Sequence, residues 1–197
     1  MIIFISMASV ELYLFLNQAI KSFLILIRNR GIPQPIPTEV SKLANKMGVK
    51  IKDFRIADGM LNAYTTGRKV VIGSRLIEKL EKDELLAIIA HELAHIKENH
   101  LTIRLVVVIL TVSLGMISWS NLPDTMVTYA LLGYITIVLI PVNHWIEHRA
   151  DKLAGEMVGC ESLKSALLKI SEGSDIKEPS ETHPSIFNRV KFLKPSQ

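Results

Sequence analysis

Two histidines four residues apart, with a glutamate beside the first, make the cluster of clearest chemical use in this chain: His91-Glu92-Leu93-Ala94-His95. On a helix, positions i and i+4 share one face, so both imidazoles can bind a single metal ion, and zinc suits such a pair. Glu92 stands next to them, placed to act as general base toward an attacking water. The same residues could instead be ordinary helix positions joined by an ion pair, because three fixed positions also recur by chance. Their setting favours metal: Leu85, Leu86, Ile88, Ile89, Leu93 and Ile96 repeat at helical spacing around them, with Asp83 as the expected N-cap.

A third ligand decides the kind of site. A histidine six residues after His95, with glycine three after it, would need Gly at 98 and His at 101, but Glu98 and Leu101 stand there. His100 is one residue out of phase and is expected to face water. The other source is a carboxylate from a later helix. Glu147 and Asp151 are i and i+4, so Glu147 can ligate while Asp151 takes the free N–H of a ligand histidine. His144 and His148 are rival donors on the same stretch, and His144 stays open on sequence alone. Taken singly, Glu147 would be a solvated helix charge; its pairing with Asp151 and the histidine pair carries the ligand reading. Two imidazoles and one carboxylate leave a coordination position open, as hydrolytic zinc sites do.

These residues must be held by a chain of 197 residues with 23 Lys+Arg against 19 Asp+Glu, a net charge of +4. Hydrophobic residues reach 49% beside 21% charged ones, which excludes intrinsic disorder. At 6% aromatic content there is no stacking platform for nucleic acid, and the single Cys160 excludes a disulfide framework or a cysteine-based finger. The mean hydropathy of +0.30 comes from three apolar runs, 1–27, Leu105–Trp119 and Met126–Val142. The second and third carry no Asp, Glu, Lys, Arg or His, and with their flanks (103–120 and 126–146) they approach the roughly 20 residues a bilayer span needs. They read as a transmembrane hairpin, with a buried helical hairpin as the alternative. Glu11, Asn17, Gln18 and Lys21 interrupt the first run, which suits a span with a polar stripe or an interfacial helix; the span is preferred. Fourteen basic residues fall between Arg28 and Arg104 and eight between Arg149 and Lys194, with none at 120–125. The positive-inside rule then places both polar segments in the cytoplasm, in a multi-pass cell-membrane protein.

The polar segments read as one α+β domain, predominantly helical, with a small β-sheet, interrupted by the hairpin. Its expected parts are an N-terminal anchor (1–30), a first half (31–104), the hairpin (105–142) and a second half (143–197). Pro33, Pro35 and Pro37 suggest a stiff linker. Glu39 to Met47 fits a helix stopped by Gly48; Val49, Ile51 and Phe54 to Ile56 fit a strand and Lys69 to Ile72 another, with Asn62 to Gly67 between them; residues 74–80 and 161–170 fit further helices.

On these residues the chain resembles the HtpX-like membrane-integral zinc metalloproteases, relatives of the CaaX prenyl proteases. The likeness rests on His91-Glu92-Leu93-Ala94-His95, on Glu147 to Asp151, and on the apolar hairpin between them. Asn62-Ala63-Tyr64-Thr65-Thr66-Gly67 is similar to the family's N-A-F-x-x-G segment, and Val71 to Leu76 followed by Asp83-Glu84-Leu85 to the approach to its metal helix. Thr182-His183-Pro184-Ser185 with Arg189 resembles its H-P-x-x-x-x-R element. The family usually has two spans before the catalytic region, and this chain offers one run. The resemblance implies a gluzincin-like domain with one Zn2+ on His91, His95 and Glu147, and Glu92 as catalytic base. It also implies His183 and Arg189 near the oxyanion, and residues 62–64 as an edge strand that pairs with an extended substrate. Protein or peptide substrates and the lipid bilayer are the expected partners, with no nucleic acid, in membrane-protein quality control. The competing expectations are a prenyl-protein protease and a non-proteolytic zinc-binding scaffold.

Overall fold

The computed structural model describes residues 31–118, 124–171 and 184–193. The apolar run 1–27 and His183 lie outside the described residues. Residues 31–103 and 142–197 belong to one compact unit, and residues 104–141 to another.

In the first unit, four short strands precede the metal-motif helix: β1 (Ile32–Gln34), β2 (Asp53–Ala57), β3 (Ala63–Thr66) and β4 (Lys69–Gly73). They form a mixed sheet in the order β1-β2-β4-β3, with β2 parallel to β4 and the outer pairs antiparallel. Phe54 lies opposite Val70, and Tyr64 opposite Val71. Val70, Val71 and Ile72 are fully buried, as β-branched residues of an inner strand covered on both faces should be. Pro33 sits within β1, so the expected linker is in part a strand. Proline has no N–H to give a ladder, and an edge strand is where that loss is tolerated. At the end of β4, Gly73 lets the chain at Met60–Asn62 come close: a Cβ there would collide with the Met60 carbonyl. The Gly73 N–H donates to the Asn62 carbonyl at 2.9 Å, which fixes the start of β3.

Helix α1 (Thr38–Met47) buries Val40, Leu43, Ala44 and Met47, an i, i+3, i+4, i+7 stripe, and ends at left-handed Gly48 (φ 71°). A short α2 (Ser74–Lys79) leads to α3 (Lys82–Lys97), the helix of the histidine motif. Its N-cap is Glu81 rather than the expected Asp83, because Glu81 and Glu84 form a reciprocal capping box. Glu84 is also gripped by Ser165 (2.6 Å) and Lys169 (2.9 Å) of α6 (Cys160–Ile170), tying the two helices together. Helix α3 packs on α1, α6 and β3, so Ala87, Ile89, Ala90, Leu93 and Ala94 are buried. The last described helix, α7 (Ile186–Phe192), is capped by the Ser185 hydroxyl, which accepts from the Asn188 N–H.

The described residues of the second and third apolar runs are helical, in α4 (His100–Ser118) and α5 (Asp124–Val158), and α5 contains Pro141. The connection 119–123 lies outside the described residues. Among the described residues, no helix is long and apolar enough to cross a membrane. A transmembrane hairpin therefore rests on the hydropathy of the sequence and not on this fold, which is mostly helical with a small mixed sheet.

Candidate active site

Helix α3 presents His91 and His95 on one face, one turn apart, and their Nε2 atoms lie 3.1 Å from each other. Glu147 of α5, with no solvent exposure, brings Oε2 to 3.3 Å from His91 Nε2 and Oε1 to 3.6 Å from His95 Nε2. Zinc bonds of about 2.0–2.1 Å in a tetrahedral array would hold ligand atoms about 3.3–3.4 Å apart. The observed separations bracket that value, so the donor set fits zinc in number, type and spacing. Glu92 belongs to the same cluster: His91, Glu92 and His95 offer ligand atoms within 4.8 Å of one another. The Glu147 carboxylate, at 3.3 and 3.6 Å from the two Nε2 atoms, completes a candidate donor set with the imidazoles.

Behind His91, Asp151 Oδ1 accepts the Nδ1–H at 2.9 Å, which turns Nε2 toward the cluster. Asp151 is itself fully buried and is held by Arg189 of α7 through Nε (2.8 Å) and Nη2 (2.6 Å). Burial pushes the Asp151 carboxyl up, but the Arg189 guanidinium outweighs it and holds the group far below the usual carboxylate range. Burial also pushes the His91 imidazole down, yet the hydrogen-bonding carboxylates of Asp151 and Glu147 prevail and raise its pKa to about 9. Such a site attracts positive charge.

The family likeness places Arg189 near the oxyanion. Its Nε and Nη2 bond the Asp151 carboxylate, with Nη2 3.4 Å from His91 Nδ1, and the Glu147 and Glu92 carboxylates act on its charge. It is 8% exposed.

His100 departs further from expectation. It is 1% exposed rather than facing water, and its Nδ1 lies 2.9 Å from His95 Nδ1. Its Nε2 lies 3.1 Å from Glu98 Oε2, and Glu98 pairs with Arg149 through Nε (3.1 Å) and Nη2. The Arg149 hydrogen bond holds the Glu98 carboxyl below its ordinary range. In an unbroken helix, residues 95 and 100 would stand about 140° apart and could not meet. The break between α3 and α4 makes the contact possible. Asn99 takes φ 52°, the one positive φ outside glycine among the described residues. The sequence signal was Asn99 itself, since asparagine tolerates the left-handed region.

Of the rival donors, His148 has a partner outside the cluster. It packs its ring on Phe192 (centroids 4.3 Å apart), and burial lowers its pKa. Of the substrate segment, Asn62 is exposed and its Oδ1 accepts the Ala63 N–H at 2.9 Å. Ala63 turns its methyl into the core, and Tyr64 is half-buried on β3, which takes one edge of the sheet and packs on α3.

The chain is 32% identical over 158 residues to a "Protease HtpX homolog" of Halobacterium salinarum, covering 71% of this chain and 55% of that protein. It is 27% identical over 179 residues to a "CAAX prenyl protease 1 homolog" of Arabidopsis thaliana, covering 73% and 42%. The chain thus spans about half the length of these curated relatives. The crystal structure of S. mikatae Ste24p shares the fold at a TM-score of 0.67 and 21% identity, over 93% of this chain and 56% of that one. The model of peptidase family M48 matches residues 34–196, and the chain belongs to that family.

Proposed function

We propose that this chain is a membrane-bound, zinc-dependent endopeptidase in which His91, His95 and Glu147 hold the metal and Glu92 is the general base. The observation that carries the reading is the convergence of His91 Nε2, His95 Nε2 and the Glu147 carboxylate at 3.1–3.6 Å, with Glu92 beside them. When bound, zinc would supply Lewis acidity, polarising a substrate carbonyl and acidifying water. Glu92 takes the proton of the attacking water on its carboxylate and returns it to the leaving amine. Asp151, backed by Arg189, holds the His91 Nδ1–H so that Nε2 faces the metal position. The backbone of Asn62, Ala63 and Tyr64 at the edge strand β3 pairs with an extended peptide, which explains tolerance of varied sequences. His183 is the oxyanion donor on the strength of the family resemblance.

Lipid contact by the two apolar runs is supported by the exposure of Leu105, Ile109, Leu110 and Leu114 on α4 and of Met126 and Ile137 on α5. The distribution of basic residues turns the catalytic unit to the cytoplasm. Misfolded or membrane-embedded proteins are the substrates such a placement serves. Because one relative is named a CAAX prenyl protease homologue, a prenylated peptide is the second reading.

The test uses detergent-purified, zinc-loaded chain, with unfolded casein and a farnesylated C-terminal peptide offered separately. Wild type should cleave casein and Glu92→Gln should lose at least a hundredfold in rate. Equal cleavage by both contradicts the mechanism, and cleavage of the farnesylated peptide alone selects the second reading.

A further inference from the structure

His100 is not used by the chemistry above, yet it is among the most buried polar side chains of the unit and touches the second histidine of the motif. Its surroundings allow one consistent proton arrangement. For His95 to present Nε2 as a lone pair, its Nδ1 must carry the hydrogen. His100 Nδ1, 2.9 Å away, must then accept, which puts the His100 hydrogen on Nε2. There it meets Glu98 Oε2 at 3.1 Å, an acceptor. Glu98 in turn accepts from Arg149 Nε and Nη2. Every donor in the series meets an acceptor, with both imidazoles neutral. The Trp145 ring stands edge-on to the His100 ring, centroids 6.3 Å apart, and walls it in.

We infer that His100 is a positioning residue for His95: Glu98, set by Arg149, orients the His100 ring, and His100 Nδ1 holds the His95 Nδ1–H so that His95 Nε2 faces the metal. The inference rests on the zinc reading proposed above. It assigns the left-handed turn at Asn99 (φ 52°) a purpose, because that turn brings an i+5 side chain back over the ligand. An imidazole thereby fills, for His95, the place that a carboxylate fills for His91. Partners of this kind are typically worth 10- to 100-fold in metal affinity.

The experiment measures zinc affinity of the full chain in detergent by competition with a chromophoric chelator, alongside nitrogen-15 histidine spectra of the zinc-loaded wild type. His100→Ala should bind zinc about 10- to 100-fold more weakly than wild type. His100→Asn, whose Oδ1 falls where Nδ1 was, should recover most of that loss. The wild-type spectra should place the hydrogen of His100 on Nε2 and that of His95 on Nδ1, a readout that no folding defect can obscure. Wild-type affinity in a folded His100→Ala variant, or a His100 hydrogen on Nδ1, overturns the inference while leaving the zinc reading intact. A wild type that binds no zinc overturns both.

Discussion

The two histidines of the motif sit one turn apart on α3 and face the same cluster, but their far sides are secured differently. His91 leans on Asp151 and Arg189, with side chains 0% and 9% exposed. His95 leans on His100, then on Glu98 and Arg149, with side chains 18% and 43% exposed. The first clamp joins α3, α5 and α7, so it couples the His91 ring to tertiary structure. The second joins the α3–α4 break to α5 and ends at solvent, where charge pairs are screened. The contrast teaches that one donor is locked by burial and the other by a relay that water can weaken.

The comparison breaks most visibly at Arg189. Arg189→Ala would strand the buried Asp151 charge and should destabilise the chain by about 3–5 kcal/mol in a reversible unfolding assay. A loss below about 1 kcal/mol would show that the inner clamp is no clamp. Next in size is a pH effect on the metal-free protein. The His91 pKa, raised to about 9, contributes stability that is complete below its ordinary value near 6.5 and is lost as pH rises through 9. Thermal unfolding between pH 6 and 10 should record that decline, on the order of 3 kcal/mol, and a flat profile would contradict the shift. Zinc loading should abolish the decline, since the metal replaces the proton on Nε2.

Smaller effects should come from the outer relay. Arg149→Ala should cost about 0–1 kcal/mol of stability and lower zinc affinity less than tenfold, with the difference shrinking in high salt. If Arg149→Ala matched Arg189→Ala, the two clamps would be equivalent and the comparison would fail. At the break, Asn99→Gly should preserve zinc affinity, because glycine adopts φ 52° freely. Asn99→Val should weaken it, and equal affinity for the two variants would detach the relay from the turn.

Much of the site could be read in the chain because helical spacing is local. His91, Glu92 and His95, like Glu147 and Asp151, lie within one or two turns of each other, so their shared faces follow from 100° per residue. What could not be read depended on distant or irregular geometry. Arg189 could be singled out only through family likeness, and its Asp151 partner is set by how α7 docks. His100 could not be placed because its contact with His95 depends on the left-handed turn at Asn99, which helical spacing does not supply. In the sheet, the strands around Phe54 and Val70 were visible from their apolar residues, but nothing local dictates that β2 runs parallel to β4. Pro33 read as a breaker, although an edge strand accommodates it.

The central claim is the ligand set, and zinc content of the purified chain tests it most directly. Wild type and His148→Ala should each retain about one zinc per chain, whereas Glu147→Ala should lose most of it under the same dialysis. Full zinc in Glu147→Ala, or its loss in His148→Ala, would contradict the account.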